Sequence, residues 1–260
     1  MTEFPDLNEE LLQILAMLPL TEGFLVFLRV GAVFSLLPIF GSPSVPARMR
    51  LLVALLVSIC ILPMVSTLDY SDVSRAEFIK ACAGEFFAGF LLGFLARSVF
   101  WSIQIAGAMA AQAISLSQIL GNSVEQPQPA IGQFLYVASL ALASLLNFHV
   151  IILKALIQSY DLVPLGHLLS PGTALQIGVD TAAHVFRLGF GLAGPFLIVA
   201  VIYNLCLGVV NRAMPALMVA FVGAPAITWL GLALLMLTAP LMLMAWKQEL
   251  IGFTLPGTFR

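Results

Sequence analysis

Five ionisable side chains lie within or beside long apolar stretches of this sequence: Glu85, Arg97, Arg29, Asp180 and Arg187. An ionisable group inside a membrane costs roughly 3 kcal/mol or more unless it is paired or hydrated, so such groups mark sites of importance. Glu85 and Arg97 share one stretch but lie about 18 Å apart along a helix, too far to pair with each other. Two interpretations stay open. Glu85 could serve a proton or ion relay, or these groups could have a structural role, either in inter-helix ion pairs or by extending their charged ends to the membrane interface.

The residue types needed for other chemistry lack the required spacing. His149, His167 and His184 form no HExxH or HxxxH pattern, and no serine has a GxSxG context. No glycine-rich phosphate loop is present in the sequence. We therefore predict no catalytic, cofactor-binding or metal-binding residue and no cofactor. An intramembrane enzyme that uses His149 or His184 is kept only as a remote alternative.

The composition indicates the class of protein to which this chain belongs. Of 260 residues, 61% are hydrophobic and 9% are charged, whereas a soluble domain carries roughly 25% charged residues. The mean hydropathy is +1.06. A formal charge of −2 without a Lys/Arg cluster excludes nucleic-acid binding through a basic surface. The chain is predicted to be a polytopic membrane protein, or a subunit whose apolar helices are buried by partners. The cysteines are interpreted as small buried hydrophobic residues: Cys60, Cys82 and Cys206.

The apolar segments predict an all-α fold of about six long helices, since a helix needs about 20 apolar residues to span a bilayer. The segments are 22–40, 49–66, 81–104, 131–153, 185–210 and 216–246. Residues 75–119 and 172–213 look helical well beyond one bilayer thickness. Pro225 and Pro240 predict that the last segment is kinked or divided. Asp69 or Ser71 is the expected cap of the third helix.

Small residues recur on several of these helices. Gly89 and Gly93 form a GxxxG pattern, and Gly189, Gly191 and Gly194 line a later helix. Because lipid supplies no hydrophobic drive between helices, such faces favour close helix packing. Their number indicates a tightly packed multi-subunit object rather than an isolated bundle.

Positive charges do not divide cleanly between the two sides of the membrane. Arg48, Arg50 and Arg212 would share one side, but other basic residues then fall on the opposite side. Those residues are Arg75, Lys80, Lys154 and Lys247. Either the spans differ from the hydropathy segments, or some helices are not independent bilayer spans.

The C-terminal third carries a recognisable pattern. Asn204 to Pro215 reads Asn-Leu-Cys-Leu-Gly-Val-Val-Asn-Arg-Ala-Met-Pro, and Gly223-Ala-Pro225 follows. Together with Arg29 and the Glu85, Gly89 and Gly93 spacing, this pattern resembles the FliR/SctT family of type III secretion export-gate subunits. The chain differs from the family at Ser115, where the family usually has a glycine before the Leu-Ser pair, and at Phe148.

The resemblance implies one FliR-like export-gate domain over residues 1–260, with a FliP-like part at 1–170 and a FliQ-like part at 171–260. Its helices would form hairpins within a multi-subunit helical ring. The implied partners are FliP-like and FliQ-like subunits, FlhB- and FlhA-like proteins and the unfolded proteins that pass through. The implied location is the bacterial inner membrane, in the flagellar basal body, with the core partly raised toward the periplasm.

The resemblance also implies roles for individual residues. The loop after the third helix would plug the pore, and its alternation of small polar and apolar residues suits a constriction that closes by dewetting. The alternative is that this segment is only the end of a packed helix. The candidate plug residues are Met109, Gln112, Ile114, Ser115, Leu116, Ser117, Gln118, Ile119 and Leu120. The candidate helix-packing residues are Gly84, Glu85, Gly89, Gly93, Gly107, Asn204, Gly208, Asn211, Arg212, Pro215, Gly223 and Pro225.

Three functions remain to be distinguished. The first is a flagellar export-gate subunit, and an injectisome subunit of the SctT type is its near alternative. The second is a secondary transporter with Glu85 as its proton site, for which helices broken near Pro225 and Pro240 would be suited. The third is the intramembrane enzyme.

Overall fold

The computed structural model describes residues 20–38, 40–41, 45–65, 74–115, 130–213 and 219–253. Every regular element in these ranges is an α-helix, so the predicted all-α fold is confirmed. The helices are α1 (Leu20–Leu36), α2 (Ala47–Val65), α3 (Arg75–Ser115), α4 (Ala130–Leu145), α5 (Phe148–Leu162), α6 (Pro171–Ala213) and α7 (Val219–Ile251).

Four of these helices are long and apolar enough to cross a membrane: α2, α3, α6 and α7. The bent pair α4–α5 makes a fifth if it counts as one span. The expected count of about six is therefore approximate. As predicted, α3 and α6 exceed one bilayer thickness, with 41 and 43 residues respectively. The last segment forms one continuous helix, α7, that contains both of its prolines.

Side-chain caps explain where two helices begin. Ser74 Oγ accepts a hydrogen bond from Glu77 N at 3.3 Å, and a Glu77 carboxylate oxygen accepts one from Ser74 N at 3.1 Å. This reciprocal capping box starts α3 at Arg75, so the expectation of Asp69 or Ser71 as the cap is wrong. Similarly, Ser170 Oγ accepts a hydrogen bond from Thr173 N, and α6 begins at Pro171.

The predicted single helix 131–153 is divided into α4 and α5, which meet at an angle of 70°. The break lies at Asn147, whose φ is 55°, in the left-handed region. Asparagine tolerates this conformation better than apolar residues do, because its short polar side chain can form local hydrogen bonds. The Asn147 carbonyl then accepts the N–H of Val150 at 2.8 Å and starts α5.

The chain forms two compact units. The first contains residues 1–94 and 155–173, of which the described part includes α1, α2, the first half of α3 and the end of α5. Helices α1 and α2 pack against each other. The α1 side chains Leu25, Val26, Val30 and Val33 are fully buried.

The second unit contains residues 95–154 and 174–260, of which the described part includes the second half of α3, α4, most of α6 and α7. Its core is built around Trp246, whose Nε1 donates a hydrogen bond to Val99 O at 2.7 Å. The Trp246 ring packs edge-to-face against Phe100, and Phe100 packs in the same way against Phe148. All three residues are buried.

Large apolar faces of the chain remain uncovered. Only 17% of the most apolar stretch of α2 is buried, and the same holds for α6. A soluble monomer rarely exposes a contiguous apolar patch of more than a few hundred Å². Membrane lipid or other protein chains must therefore cover these helices. Even two of the cysteines, Cys60 and Cys206, are exposed, contrary to the expectation that they are buried.

Candidate functional site

A buried ion pair lies at the centre of the first unit. Arg29 of α1 contacts Glu85 of α3 through two hydrogen bonds, from Nε to Oε2 at 2.7 Å and from Nη2 to Oε1 at 3.0 Å. Both side chains are fully buried. The bidentate arrangement is the strong form of an arginine–carboxylate pair. Of the two interpretations of these groups, the structure supports the inter-helix ion pair.

The remaining donors of Arg29 join the pair to the end of α5. Nη1 donates a hydrogen bond to Ser159 Oγ at 3.2 Å, and Nη2 donates one to Val163 O at 2.9 Å. The Arg29 guanidinium also lies 3.9 Å from the centre of the Tyr160 ring, a cation–π contact. One arginine thus holds three helices through its planar set of donors.

Glu85 makes a complementary contact with the connector between α5 and α6. Its Oε1 accepts a hydrogen bond from Gly166 N at 2.8 Å. Gly166 has a φ of 76°, which favours glycine because an added Cβ would clash with the backbone. With both oxygens held by Arg29 and Gly166, the carboxylate is engaged in structure. This arrangement weighs against a proton-relay role for Glu85.

The other ionisable groups that the sequence singled out belong to the second unit. Arg97 stacks on Trp101, with 5.8 Å between the guanidinium carbon and the ring centre. His184 contacts Glu249 at 2.9 Å on an exposed surface. Asp180 and Arg187 are also exposed. Within the described ranges, no group of three or more His, Cys, Asp and Glu residues could hold a metal ion.

Three candidate packing glycines lie in the close crossings of the first unit. A Cβ added at Gly89 would overlap the Arg29 carbonyl oxygen. At Gly93 it would lie 3.0 Å from Leu36 Cβ, and at Gly84 it would lie 2.7 Å from His167 O. The GxxxG pattern therefore brings α3 against α1, and Gly84 brings it against the connector.

The second unit contains a crossing of two glycines. A Cβ added at Gly107 of α3 would lie 2.5 Å from the Gly132 Cα of α4. Gly189 of α6 also packs tightly, since its Cβ would lie 2.9 Å from a methyl group of Ile105. The sequence had predicted close packing at Gly107 and Gly189 but had not identified Gly132.

Other candidate packing residues face open space or fall outside the described part of the structure. A Cβ added at Gly191, Gly194 or Gly208 would meet nothing within 4 Å. Asn204, Asn211 and Arg212 are exposed on α6. Pro215 lies outside the described residues, and Gly223 and Pro225 lie near the start of α7.

A groove of about 250 Å³ lies between α3 and α6 in the second unit. Two of the candidate plug residues, Met109 and Gln112, line it from α3, and Asn204 lines it from α6. Its other walls are apolar: Ala113, Leu197, Ala200 and Val201. Asn204 uses its Nδ2 to donate a hydrogen bond to Ala200 O at 2.8 Å, which leaves its Oδ1 as an acceptor.

The structure locates only part of the predicted plug. Ile114 and Ser115 form the last turn of α3, so these two positions belong to the helix and not to a loop. Leu116, Ser117, Gln118, Ile119 and Leu120 lie outside the described residues. The plug assignment therefore stays a prediction.

The sequence did not reveal how the buried ion pair is surrounded. Arg29 and Glu85 are 56 residues apart, and their partners Ser159 and Tyr160 lie more than 70 residues further on. Neither partner carries a local signal of its own. Arg29 and Glu85 could be found as charges in apolar segments, but their pairing with each other depends on the fold.

The chain is similar to proteins of bacterial export systems over nearly its whole length. Residues 20–252 match the family described as bacterial export proteins, family 1. Flagellar biosynthetic protein FliR of Caulobacter vibrioides is 32% identical over 86% of this chain and 91% of its own length. The proteins of the same name from Aquifex aeolicus and Escherichia coli are 29% and 25% identical. These alignments cover 90% and 84% of this chain and 93% and 84% of the relatives.

Proposed function

The chain belongs to family 1 of the bacterial export proteins, and from this membership we propose that it is a structural subunit of the flagellar type III protein export gate. The match over residues 20–252 is the observation that carries the proposal, because it includes every described helix. Because the relatives are named as flagellar proteins, a role in the flagellum is favoured over a role in an injectisome. The membrane-compatible helices agree with a membrane-embedded component.

Within the gate, this chain would close a ring with FliP-like and FliQ-like subunits. Residues 1–170 would take the place of a FliP unit and residues 171–260 that of a FliQ unit. FlhB- and FlhA-like proteins would lie beneath the ring in the inner membrane, and unfolded rod, hook and filament proteins would pass through it. The uncovered apolar faces of α2 and α6 support burial by such neighbours. The core of the gate would be raised above the membrane toward the periplasm, so protein neighbours and not lipid would surround the helices. This position would explain why the basic residues do not divide cleanly between the two sides of the membrane.

The proposed role is structural and not catalytic. Among the residues that the structure describes, Glu85 is the one fully buried acid, and it is engaged by Arg29 and Gly166. This engagement supports a packing function and weighs against a proton-coupled transporter. In the gate, the segment from Gln112 to Leu120 would plug the pore of the resting channel. Met109, which precedes this segment on α3 and lines the same groove as Gln112, would lie at the edge of that constriction.

Deleting the gene tests the proposed function. The deletion strain should lose swimming and stop secreting hook and filament proteins, and this chain supplied from a plasmid should restore both. Secretion that continues at the normal level without the chain would contradict the proposal.

Deleting Ser115 to Leu120 tests the plug separately. The assembled gate should then leak ions, which can be measured as a fall in membrane potential with a voltage-sensitive dye. The matched control combines this deletion with Gly89→Leu, which should block assembly and thereby prevent the leak. An intact barrier in assembled complexes that lack the segment would rule out the plug but not the gate.

A further inference from the structure

The connector between α5 and α6, residues 163–170, contacts both members of the buried ion pair. Arg29 Nη2 donates a hydrogen bond to Val163 O at 2.9 Å, and Gly166 N donates one to Glu85 Oε1 at 2.8 Å. Both connector groups belong to the backbone, so these contacts fix the path of the chain. Because Arg29 and Glu85 are fully buried, the connector forms part of the cover that keeps solvent from them.

The connector has a buried inner side and an exposed outer side. Leu165 is only 3% exposed and anchors the inner side, whereas Leu168 is 58% exposed. Pro164 and His167 are also exposed. A segment that buries few apolar groups opens locally at a lower free energy than the packed helices around it. The connector can therefore separate from its site without unfolding a helix.

A hydrogen bond of its own makes the middle of the connector a compact turn. His167 N donates to Pro164 O at 3.1 Å, and Gly166 supplies the positive φ of 76°. The turn lies directly on α3, because a Cβ added at Gly84 would be 2.7 Å from His167 O. The middle of the connector can therefore move as one body, away from the part of α3 that carries Glu85.

Opening of this turn and separation of the ion pair are energetically coupled. Lifting the turn takes Gly166 N from Glu85 and admits water to the carboxylate, and water weakens the attraction between the two charges. Conversely, loss of the pair removes the acceptor that holds Gly166 N and the donor that holds Val163 O. Such a coupling is reciprocal, so each event favours the other by the same factor.

We propose that the connector is a lid over the Arg29–Glu85 pair and that the lid and the pair form one two-state element. In the closed state, Leu165 occupies its buried site and the Glu85 carboxylate is kept from water. In the open state, the turn is lifted as a unit and water reaches Glu85. The inference concerns only the first unit and does not rest on the export function, so its failure would leave the proposed function intact.

Carboxyl labelling in native membranes tests whether the lid covers Glu85. A water-soluble carbodiimide and glycinamide convert carboxyl groups that water can reach into amides. Mass spectrometry then gives the conversion of Glu85 relative to the exposed Glu77 on the same helix. Leu165→Ala removes the buried anchor and should raise the conversion of Glu85 by roughly tenfold or more. Leu168→Ala, the same truncation on the outer side, should leave it unchanged. Equal conversion of Glu85 in the two variants would overturn the lid.

Amide hydrogen exchange in the same membranes tests the two-state coupling without truncating the anchor. In the unaltered chain, the amides of Gly166 and His167 should have the same protection factor, because one opening event exposes both. In the double variant Arg29→Met and Glu85→Leu, both protection factors should fall together by roughly tenfold or more. Of these two amides, only Gly166 N loses its own acceptor in that variant. Loss of protection at Gly166 alone would therefore overturn the two-state element.

Amides beside Trp246 in the second unit provide the control for both measurements. They should keep their protection in every variant, because the proposed opening is confined to the connector. If they lose protection to the same extent as the connector does, the chain opens as a whole and the lid is refuted.

Discussion

Removing either member of the Arg29–Glu85 pair should strongly destabilise the first unit. Both side chains are fully buried and share two hydrogen bonds. Breaking such a pair leaves an uncompensated buried charge, at a cost of about 3–5 kcal/mol. That cost corresponds to a decrease of about a hundredfold to a few thousandfold in the ratio of folded to unfolded protein. Glu85→Leu and Arg29→Met should each produce a loss of this size.

The double variant should recover much of the loss, because no buried charge is then left alone. Some cost remains, since Val163 O and Gly166 N lose their partners. The two single losses together would amount to about 6–10 kcal/mol, and we expect the double variant to lose at least 3 kcal/mol less than that sum.

The assay is SDS titration of the detergent-solubilised protein, read by pulse proteolysis of the connector between α5 and α6. Losses that simply add in the double variant, or a loss below about 1 kcal/mol for Glu85→Leu, would refute the energetic reasoning. Export supplies a second criterion. If the pair is structural, export returns with stability in the double variant. If Glu85 carries protons, export stays absent whatever the stability.

Three further predictions concern local geometry. Gly89→Leu forces a side chain into the Arg29 carbonyl, so the assembled complex should be lost on native gels, while Gly178→Leu, which faces open space, should assemble normally. Ser74→Ala removes the capping box and should lower the stability of the helix start by about 1 kcal/mol. This loss should appear as faster amide hydrogen exchange in the first turn of α3, and an unchanged exchange rate would contradict the cap. Asn147→Ala should lower the free energy of unfolding by about 1–2 kcal/mol because φ is positive at this position. Asn147→Gly should be nearly neutral in the same SDS titration. Equal losses for the two variants would show that the backbone conformation is not the cause.

The helical fold could be predicted because apolar length is a local property of the sequence. The excess lengths of α3 and α6 were visible in the same way. Helix ends and breaks depended on single polar residues. Asn147 bends an otherwise continuous apolar segment, and the Ser74 cap starts α3 before the apolar segment 81–104 begins.

The candidate site was less predictable because its contacts are distant in sequence. The charges of Arg29 and Glu85 were conspicuous, but Tyr160, which covers the guanidinium, looks like any other residue of an apolar helix. Likewise, glycine spacing did not distinguish Gly189, which packs against Ile105, from Gly191 and Gly194, which face open space. Whether a glycine lies in a close helix crossing depends on the residues that the fold places against it. The spacing of glycines in the sequence does not identify those residues.

The most direct test of the account is to purify the complex from native membranes through a tag on this chain and to measure its mass and composition. We expect one copy of the tagged protein held with several copies of two other helical membrane proteins, in an unequal ratio that survives mild detergent. A tagged protein that leaves the membrane as a stable monomer or as a symmetric assembly of identical chains, with its apolar faces covered only by detergent, would contradict the account.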